Sequence, residues 1–174
     1  ITRYSELKRE LLKKSFKRMN DRQQEAIFNV NGPVMVLAGA GSGKTTVIVN
    51  RIVNMIKFGN AYFGDDSSKD VDANVIASVL SCDGSADDVA NLVADEKVNA
   101  WNILAITFTN KAANELKNRL VDALGEQGKD VWASTFHSLC VRILRANADK
   151  IGYSNHFVVY DDDDSKRLIK ECQK

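Results

Sequence analysis

Eight consecutive residues limit what this chain can fold into more than any others: Ala38-Gly39-Ala40-Gly41-Ser42-Gly43-Lys44-Thr45. Ahead of them, Val34-Met35-Val36-Leu37-Ala38 follows the breaker Asn31-Gly32-Pro33. Behind them, Val47, Ile48, Ile52, Met55 and Ile56 recur at helical spacing as far as Phe58. A short apolar run bounded by turn residues predicts a strand buried on both faces, the kind found in parallel sheets. Glycines between such a strand and a helix let the backbone wrap a polyphosphate closely, its N–H groups and the helix N-terminus pointing at the anion. Lys44 brings a flexible positive charge to the β- and γ-oxygens, and the Thr45 hydroxyl is placed to ligate Mg²⁺. Ala38 replaces the first glycine of the usual G-x-x-x-x-G-K-[ST] pattern, at a point where the loop is only leaving the strand and a methyl group is tolerable. The candidate nucleotide site is therefore Ala38, Gly39, Ala40, Gly41, Ser42, Gly43, Lys44, Thr45 and Thr46, with Lys44 and Thr45 carrying the chemistry. A glycine-rich turn with a chance Lys-Thr is the competing reading, and the strand and helix on either side weigh against it.

The rest of the chain repeats the same alternation. Ile103 to Thr107 reads as a second buried strand, and the helix from Asn110 to Leu124 closes at Gly125. Val131 to Ser134 reads as a third strand, with a helix from Phe136 to Ala148 after it. Strand, helix, strand, helix predicts an α/β fold with a parallel sheet and right-handed crossovers. Upstream, Leu7, Leu11, Leu12 and Phe16 mark an amphipathic helix over residues 6–18, read as lying on a core, and Asn20 is a suitable cap for a helix over 21–29. Between Gly59 and Asp95 eight aspartates, Asp65, Asp66, Asp70, Asp72, Asp83, Asp87, Asp88 and Asp95, face the single Lys69. Val75-Ile76, Val79-Leu80, Val89, Leu92 and Val93 predict two short helices there, in what reads as an acidic, solvated insertion over about 59–96. Past Gly152, Phe157 to Tyr160 reads as a short extended piece, and Asp161 to Asp164 cap a last helix from Ser165.

Length and charge narrow the class. With 174 residues, 44% hydrophobic and 27% charged, the chain can bury one ordinary core and stay soluble. A net charge of +1 excludes a global basic footprint, although a motor needs only a local groove. Cys82, Cys140 and Cys172 form no Cys-x-x-Cys pair, which fits reduced thiols in the cytoplasm. No apolar run reaches membrane-spanning length, and Ile1 to Lys17 hold no signal-peptide core. The chain opens on Ile and stops inside a charged, helix-like stretch, so it reads as a fragment.

Three further segments decide among the many users of such a loop. Met19 to Ile27, Ala105 to Leu116 and Ser134 to Leu139 stand in order around the glycine-rich loop. Together they resemble the Q motif and motifs I, Ia and Ib of superfamily 1A DNA helicases of the UvrD/Rep/PcrA type, over about residues 19–58 and 97–150. The resemblance implies a RecA-like P-loop NTPase sheet, here truncated, with 1–18 as an N-terminal helix, 19–148 as a partial ATP-binding domain and 149–174 as the start of a helical subdomain. By resemblance Gln23 hydrogen-bonds adenine, its amide offering both donor and acceptor to the base edge. Thr107, Phe108, Thr109 and Asn110 would contact single-stranded DNA, with Phe108 free to stack on a base at the carboxyl end of a strand. Core packing is the competing reading for a phenylalanine there. Thr135, Phe136 and His137 resemble a second strand-contacting segment, in which His137 reads equally as a structural histidine; His156 reads as structural.

Function follows as expectation: an N-terminal portion of an ATP- and Mg²⁺-dependent helicase that translocates on single-stranded DNA and opens duplex junctions in repair or recombination, with repair proteins as possible partners. The motor subunit of a helicase–nuclease and a non-enzymatic nucleotide-binding module are the alternatives. The acidic insertion departs from the family pattern, and its charge should lie away from any DNA track. No Asp-Glu-x-x-Asp run follows, and Asp161 to Asp164 do not supply one. Lacking that second carboxylate for Mg²⁺ and a general base, these residues alone should hydrolyse almost nothing.

Overall fold

The computed structural model describes residues 2–64, 73–81 and 86–173. Helix α1 (Thr2–Ser15) leads through a tight turn to α2 (Asp21–Phe28), and α3 (Lys44–Lys57) follows the glycine-rich loop. Asn20 caps α2 as expected, its Oδ1 accepting from the Gln23 amide at 2.9 Å. Strand β1 (Leu104–Thr107), helix α6 (Asn110–Leu124), a single helical turn α7 (Gln127–Asp130), strand β2 (Trp132–Thr135) and helix α8 (Phe136–Asn147) then run in sequence. Thr109, two residues past β1, and Thr135, the last residue of β2, start the two helices, each hydroxyl accepting from a backbone N–H three residues on. Helix α6 closes at Gly125, where the sequence puts it.

The sheet among the described residues is β1 and β2 alone, parallel, in a register that sets Leu104 beside Trp132 and Thr107 beside Thr135. The fold is thus α/β with a small parallel sheet and many helices. Two apolar clusters hold it. Val49, Ile52 and Ile56 of α3 meet Leu116 and Leu120 of α6, Ile103 and Val131 in one. The other gathers Leu11, Leu12, Phe16, Ile27, Phe28 and Phe58, with Val47 reaching in from α3. Phe16 lies edge-on to both Phe28 and Phe58, ring centroids 5.6 and 5.9 Å away. Helix α3 is shared by both clusters, Val47 lying in one and Val49, Ile52 and Ile56 in the other.

Three expectations are corrected here. The run Val34–Ala38 forms no strand: it is unpaired, with Met35 and Leu37 exposed at 83% and 87%. A strand apolar on both faces needs a neighbour to ladder with and layers to cover it. The described sheet ends at β1 and β2, and Leu104 and Ile106 on β1 are uncovered on one face as well. Phe157 to Tyr160, expected only as a short extended piece, lie in no helix and no ladder, and the last helix, α9 (Asp162–Cys172), buries none of its residues. It begins at Asp162, three residues before the expected Ser165, because Asp161 accepts from the amides of Asp163 and Asp164.

The third correction concerns the insertion. Its two predicted helices are present as α4 (Ala73–Ser81) and α5 (Ala86–Val93). They are not a solvated excursion: Ile76, Val89 and Val93 are buried in the cluster that holds Leu11 and Leu12 of α1. Lys14 of α1 adds a bond from its ammonium to the Leu80 carbonyl at 3.0 Å. The segment's two ends meet, with Asn60 N–H donating to the Asp95 carbonyl and Asp95 N–H to the Phe58 carbonyl, at 2.8 and 2.9 Å. Gly59 takes φ +63° at this junction, and a Cβ there would stand 1.9 Å from the Asp95 carbonyl oxygen, so only glycine fits. Asp88 is exposed and Asp95 half-buried, whereas Asp65, Asp66, Lys69, Asp70, Asp72, Asp83 and Cys82 lie outside the described residues, as does the side chain of Asp87.

Candidate functional site

The glycine-rich loop bends through left-handed backbone at Gly41 (φ +75°) and at Gly43 (φ +79°), the residue that caps α3. These are conformations that side chains with a Cβ rarely adopt, which is why the loop carries glycine there. Gly43 offers no side chain, so no side-chain hydrogen bond covers the amides of α3's first turn. Amides in such a turn have no acceptor within their own helix, and with the macrodipole they favour an anion. Around Gly39 and Gly41 nothing lies within 4 Å of where a Cβ would be, whereas at Gly43 a Cβ would stand 3.2 Å from Gln23 Nε2.

Lys44 lies within this bend, its ammonium donating to the carbonyls of Ala38 at 3.2 Å and Gly39 at 2.7 Å. The Gly39 carbonyl also accepts from the Ser42 hydroxyl at 2.8 Å. Ala40 and Thr45 are exposed, and Thr46 is half-buried, its carbonyl taken by Asn50 at 2.8 Å. Gln23 reaches the loop from α2. Its Nε2 donates to the Ser42 carbonyl at 3.1 Å, while its Oε1 accepts from the Asn20 amide at 3.0 Å. Both halves of the amide are thus engaged in holding the start of α2 against the loop.

Gln23, Ala38, Gly39, Ser42 and Lys44 line one cleft of about 530 Å³ together with Val36, Val47 and Ile48, whereas Ala40, Gly41, Gly43, Thr45 and Thr46 do not line it. Two arginines in its wall were not singled out from sequence. Arg22 pairs with Glu25 at 3.0 Å on the exposed side of α2. Arg51 donates from its guanidinium to the Ala26 carbonyl, and burial holds its pKa below the ordinary arginine value. Arg51 follows Lys44 by seven positions, two helical turns, and that spacing is the signal that could have placed it on the cleft face. Nearby, buried Asn54 donates to the carbonyls of Ile27 and Gly59, both at 3.3 Å, which no local pattern announces.

A second set of side chains gathers at the carboxyl ends of the strands. Phe108 directly follows Thr107, and Phe136 follows Thr135, so the β1–β2 register puts the two rings at neighbouring strand ends. Phe108 is fully exposed and Phe136 is 61% exposed, which removes core packing as the account of either. Thr109 and Asn110 are exposed at the start of α6, and the half-buried Thr107 donates its hydroxyl to the Thr109 carbonyl at 3.0 Å. Thr135 is placed differently: it is 7% exposed, with its hydroxyl bonded to Ser138, so its visible work is starting α8. His137 is exposed, and so is His156; neither is a histidine satisfied within a core.

Among the described residues no group of three or more His, Cys, Asp or Glu comes together to hold a metal ion. No helix among them is long and apolar enough to cross a membrane.

Comparison with known proteins agrees with this layout. The profile of the UvrD/REP helicase N-terminal domain matches residues 19–63 and 86–174. The ATP-dependent DNA helicase PcrA of Staphylococcus epidermidis is 39% identical over 158 residues, 91% of this chain and 17% of that protein. PcrA of Staphylococcus aureus is 38% identical over 156 residues, 90% of this chain and 16% of that protein. The chain therefore spans about a sixth of the length of these relatives, at their N-terminal end. With its glycine-rich loop, Gln23 and the paired strand ends all falling inside the matched residues, the chain belongs to the UvrD/REP helicase family, of which it carries N-terminal domain sequence.

Proposed function

We propose that this chain is the ATP-binding front of a cytoplasmic P-loop motor with a RecA-like core that moves along single-stranded DNA and separates duplex at junctions, in repair or recombination. The observation that carries the reading is the meeting of Gln23, Gly39, Ser42 and Lys44 in a single cleft at the uncapped start of α3. Lys44 exchanges the Ala38 and Gly39 carbonyls for β- and γ-phosphate oxygens, and the amides of the loop and of α3 take up the remaining charge. The bend, with nothing close to Gly39 and Gly41, fits a triphosphate. Thr45 is the side chain of the loop that would hold Mg²⁺, which would supply charge neutralisation at the phosphate oxygens. ATP·Mg²⁺ supplies the phosphoryl transfer that powers movement. Gln23 turns its amide from Ser42 to the adenine edge, where one donor and one acceptor match N7 and N6.

Phe108 and Phe136 form a stacking platform for successive bases, with Thr107, Thr109, Asn110 and His137 offering polar contacts around it. Thr135 supports the platform by holding the first turn of α8. The bases are read by stacking, so the platform tolerates any sequence. The 174 residues alone bind nucleotide without turning it over, since no Asp-Glu-x-x-Asp run is among them. In the full-length protein Lys44→Ala should abolish ATP turnover and unwinding together, a loss of at least about a hundredfold for one charge-assisted phosphate contact. Turnover at the wild-type rate in that variant, measured by phosphate release, would remove the cleft from the reaction.

A further inference from the structure

Gln24 follows Gln23 on α2 and faces the other way. It is nine-tenths buried, and its Nε2 donates to the carbonyls of Phe16 at 3.1 Å, Met19 at 3.2 Å and Lys13 at 3.5 Å. Lys13 lies in the last turn of α1 and Phe16 just past its end, and their carbonyls also accept from the Phe16 and Met19 amides at 3.1 and 2.9 Å, so Gln24 adds a second donor to each. One side-chain amide therefore ties the end of α1 and the turn after it to α2, beside the residue that reaches the loop. Arg51 and Asn54 hold the other end of α2 through the carbonyls of Ala26 and Ile27. Helix α1 is itself anchored, with Leu11 and Leu12 buried against Ile76 and Val93, and Lys14 on the Leu80 carbonyl.

We infer that Gln24 is a positioning residue of the nucleotide cleft, fixing the rotation of α2 about its axis and through it the reach of Gln23. The inference rests on the proposed reading of adenine by Gln23. The geometry leaves little slack. A side-chain tip travels at about 5–6 Å from a helix axis, so a rotation of about 10° moves it about 1 Å. That carries the 3.1 Å bond from Gln23 to Ser42 outside hydrogen-bonding range. An eight-residue helix has too little propensity of its own to resist such a rotation, and its anchors set its angle.

The test is the discrimination between ATP and GTP, whose purine edges differ at the atoms a Gln amide addresses. In the full-length protein, with Mg²⁺ present, dissociation constants for both nucleotides are measured by calorimetry alongside the melting temperature. Gln24→Met keeps the length and loses the donors; ATP affinity should fall about tenfold with GTP affinity unchanged. Gln24→Lys keeps donors, and a cation is welcome among carbonyls at a helix C-terminus, so it should retain the discrimination. A lower melting temperature with discrimination intact in Gln24→Met would make Gln24 a packing residue only and overturn the inference. Should Gln24→Met not fold, Gln24→Lys decides alone, and loss of discrimination in that folded variant overturns it equally. Gln23→Ala separates the two ideas. Discrimination lost there and kept in Gln24→Met sinks the positioning role alone, whereas discrimination kept in Gln23→Ala takes down the reading of adenine and the inference with it.

Discussion

Val34–Leu37 and Leu104–Thr107 are both four residues long, both rich in branched apolar side chains, and each feeds a loop that opens an amphipathic helix. Leu104–Thr107 is a strand with β2 beside it, while Val34–Leu37 stands unpaired and exposed. The difference lies in the neighbours and not in the runs. A strand exists only where another backbone offers its donors and acceptors, and β1 finds these in the segment that α6 brings back alongside it. The loop after Val34–Leu37 is instead held by side chains: Gln23 on the Ser42 carbonyl, Lys44 on Ala38 and Gly39, and α3 packed in two clusters. The glycine-rich bend is thus shaped by helices here, and the placement of Phe108 and Phe136 by the sheet.

Truncation at matched positions would sharpen that contrast most. In the 174-residue chain Ile103→Ala, which opens the cluster beneath β1, should cost about 2–4 kcal/mol in urea unfolding. Leu37→Ala should stay within about 0.5 kcal/mol, because an exposed side chain has little to lose. Equal losses would mean that the first run is packed after all. A smaller effect separates the two loops by ligand: Phe108→Ala should weaken single-stranded DNA binding by about 1–3 kcal/mol in fluorescence anisotropy, leaving nucleotide affinity unchanged. If the variant bound DNA as the parent does, the ring at the end of β1 would have no part in the platform. The smallest effect tests a join between strand and helix. Thr135→Ala removes the cap of α8 and should lower stability by about 1 kcal/mol, with a partial loss of DNA affinity as Phe136 loses its support. A loss of DNA affinity with no change in stability would assign the Thr135 hydroxyl to direct contact instead.

What could be read from the residues was local. Asn20 and Gly125 announce helix limits by their own chemistry, and both act as caps in the structure. Val75 to Val93 carry the spacing of the two insertion helices. The loop glycines foretell the left-handed turns at Gly41 and Gly43. What covers what could not be read. Asn54 bonds a carbonyl 27 positions away and Gln23 one 19 positions away, and such pairs leave no periodic trace. The insertion's charge suggested a solvated segment because eight aspartates outweigh a few apolar residues in any count. The buried positions Ile76, Val89 and Val93 decide its placement nonetheless. Phe108 is exposed among the described residues, a placement its sequence position after a strand did not announce.

The junction at Gly59 and Asp95 has a consequence for how such a chain can change. An excursion that leaves and returns at one point can lengthen or shorten without shifting the frame on either side, since closing a longer loop costs little more. Helix α4 is not free to drift in this way, because it shelters α1. The two stretches outside the matched family residues, 1–18 and 64–85, hold these two helices, and they pack on each other. Losing the pendant would uncover one side of α1, whose Leu11, Leu12 and Phe16 also pack with Ile27, Phe28, Phe58 and Val93. Losing the helix would uncover Ile76 of the pendant. The pair should therefore come and go together among relatives, as a single graft with two points of attachment.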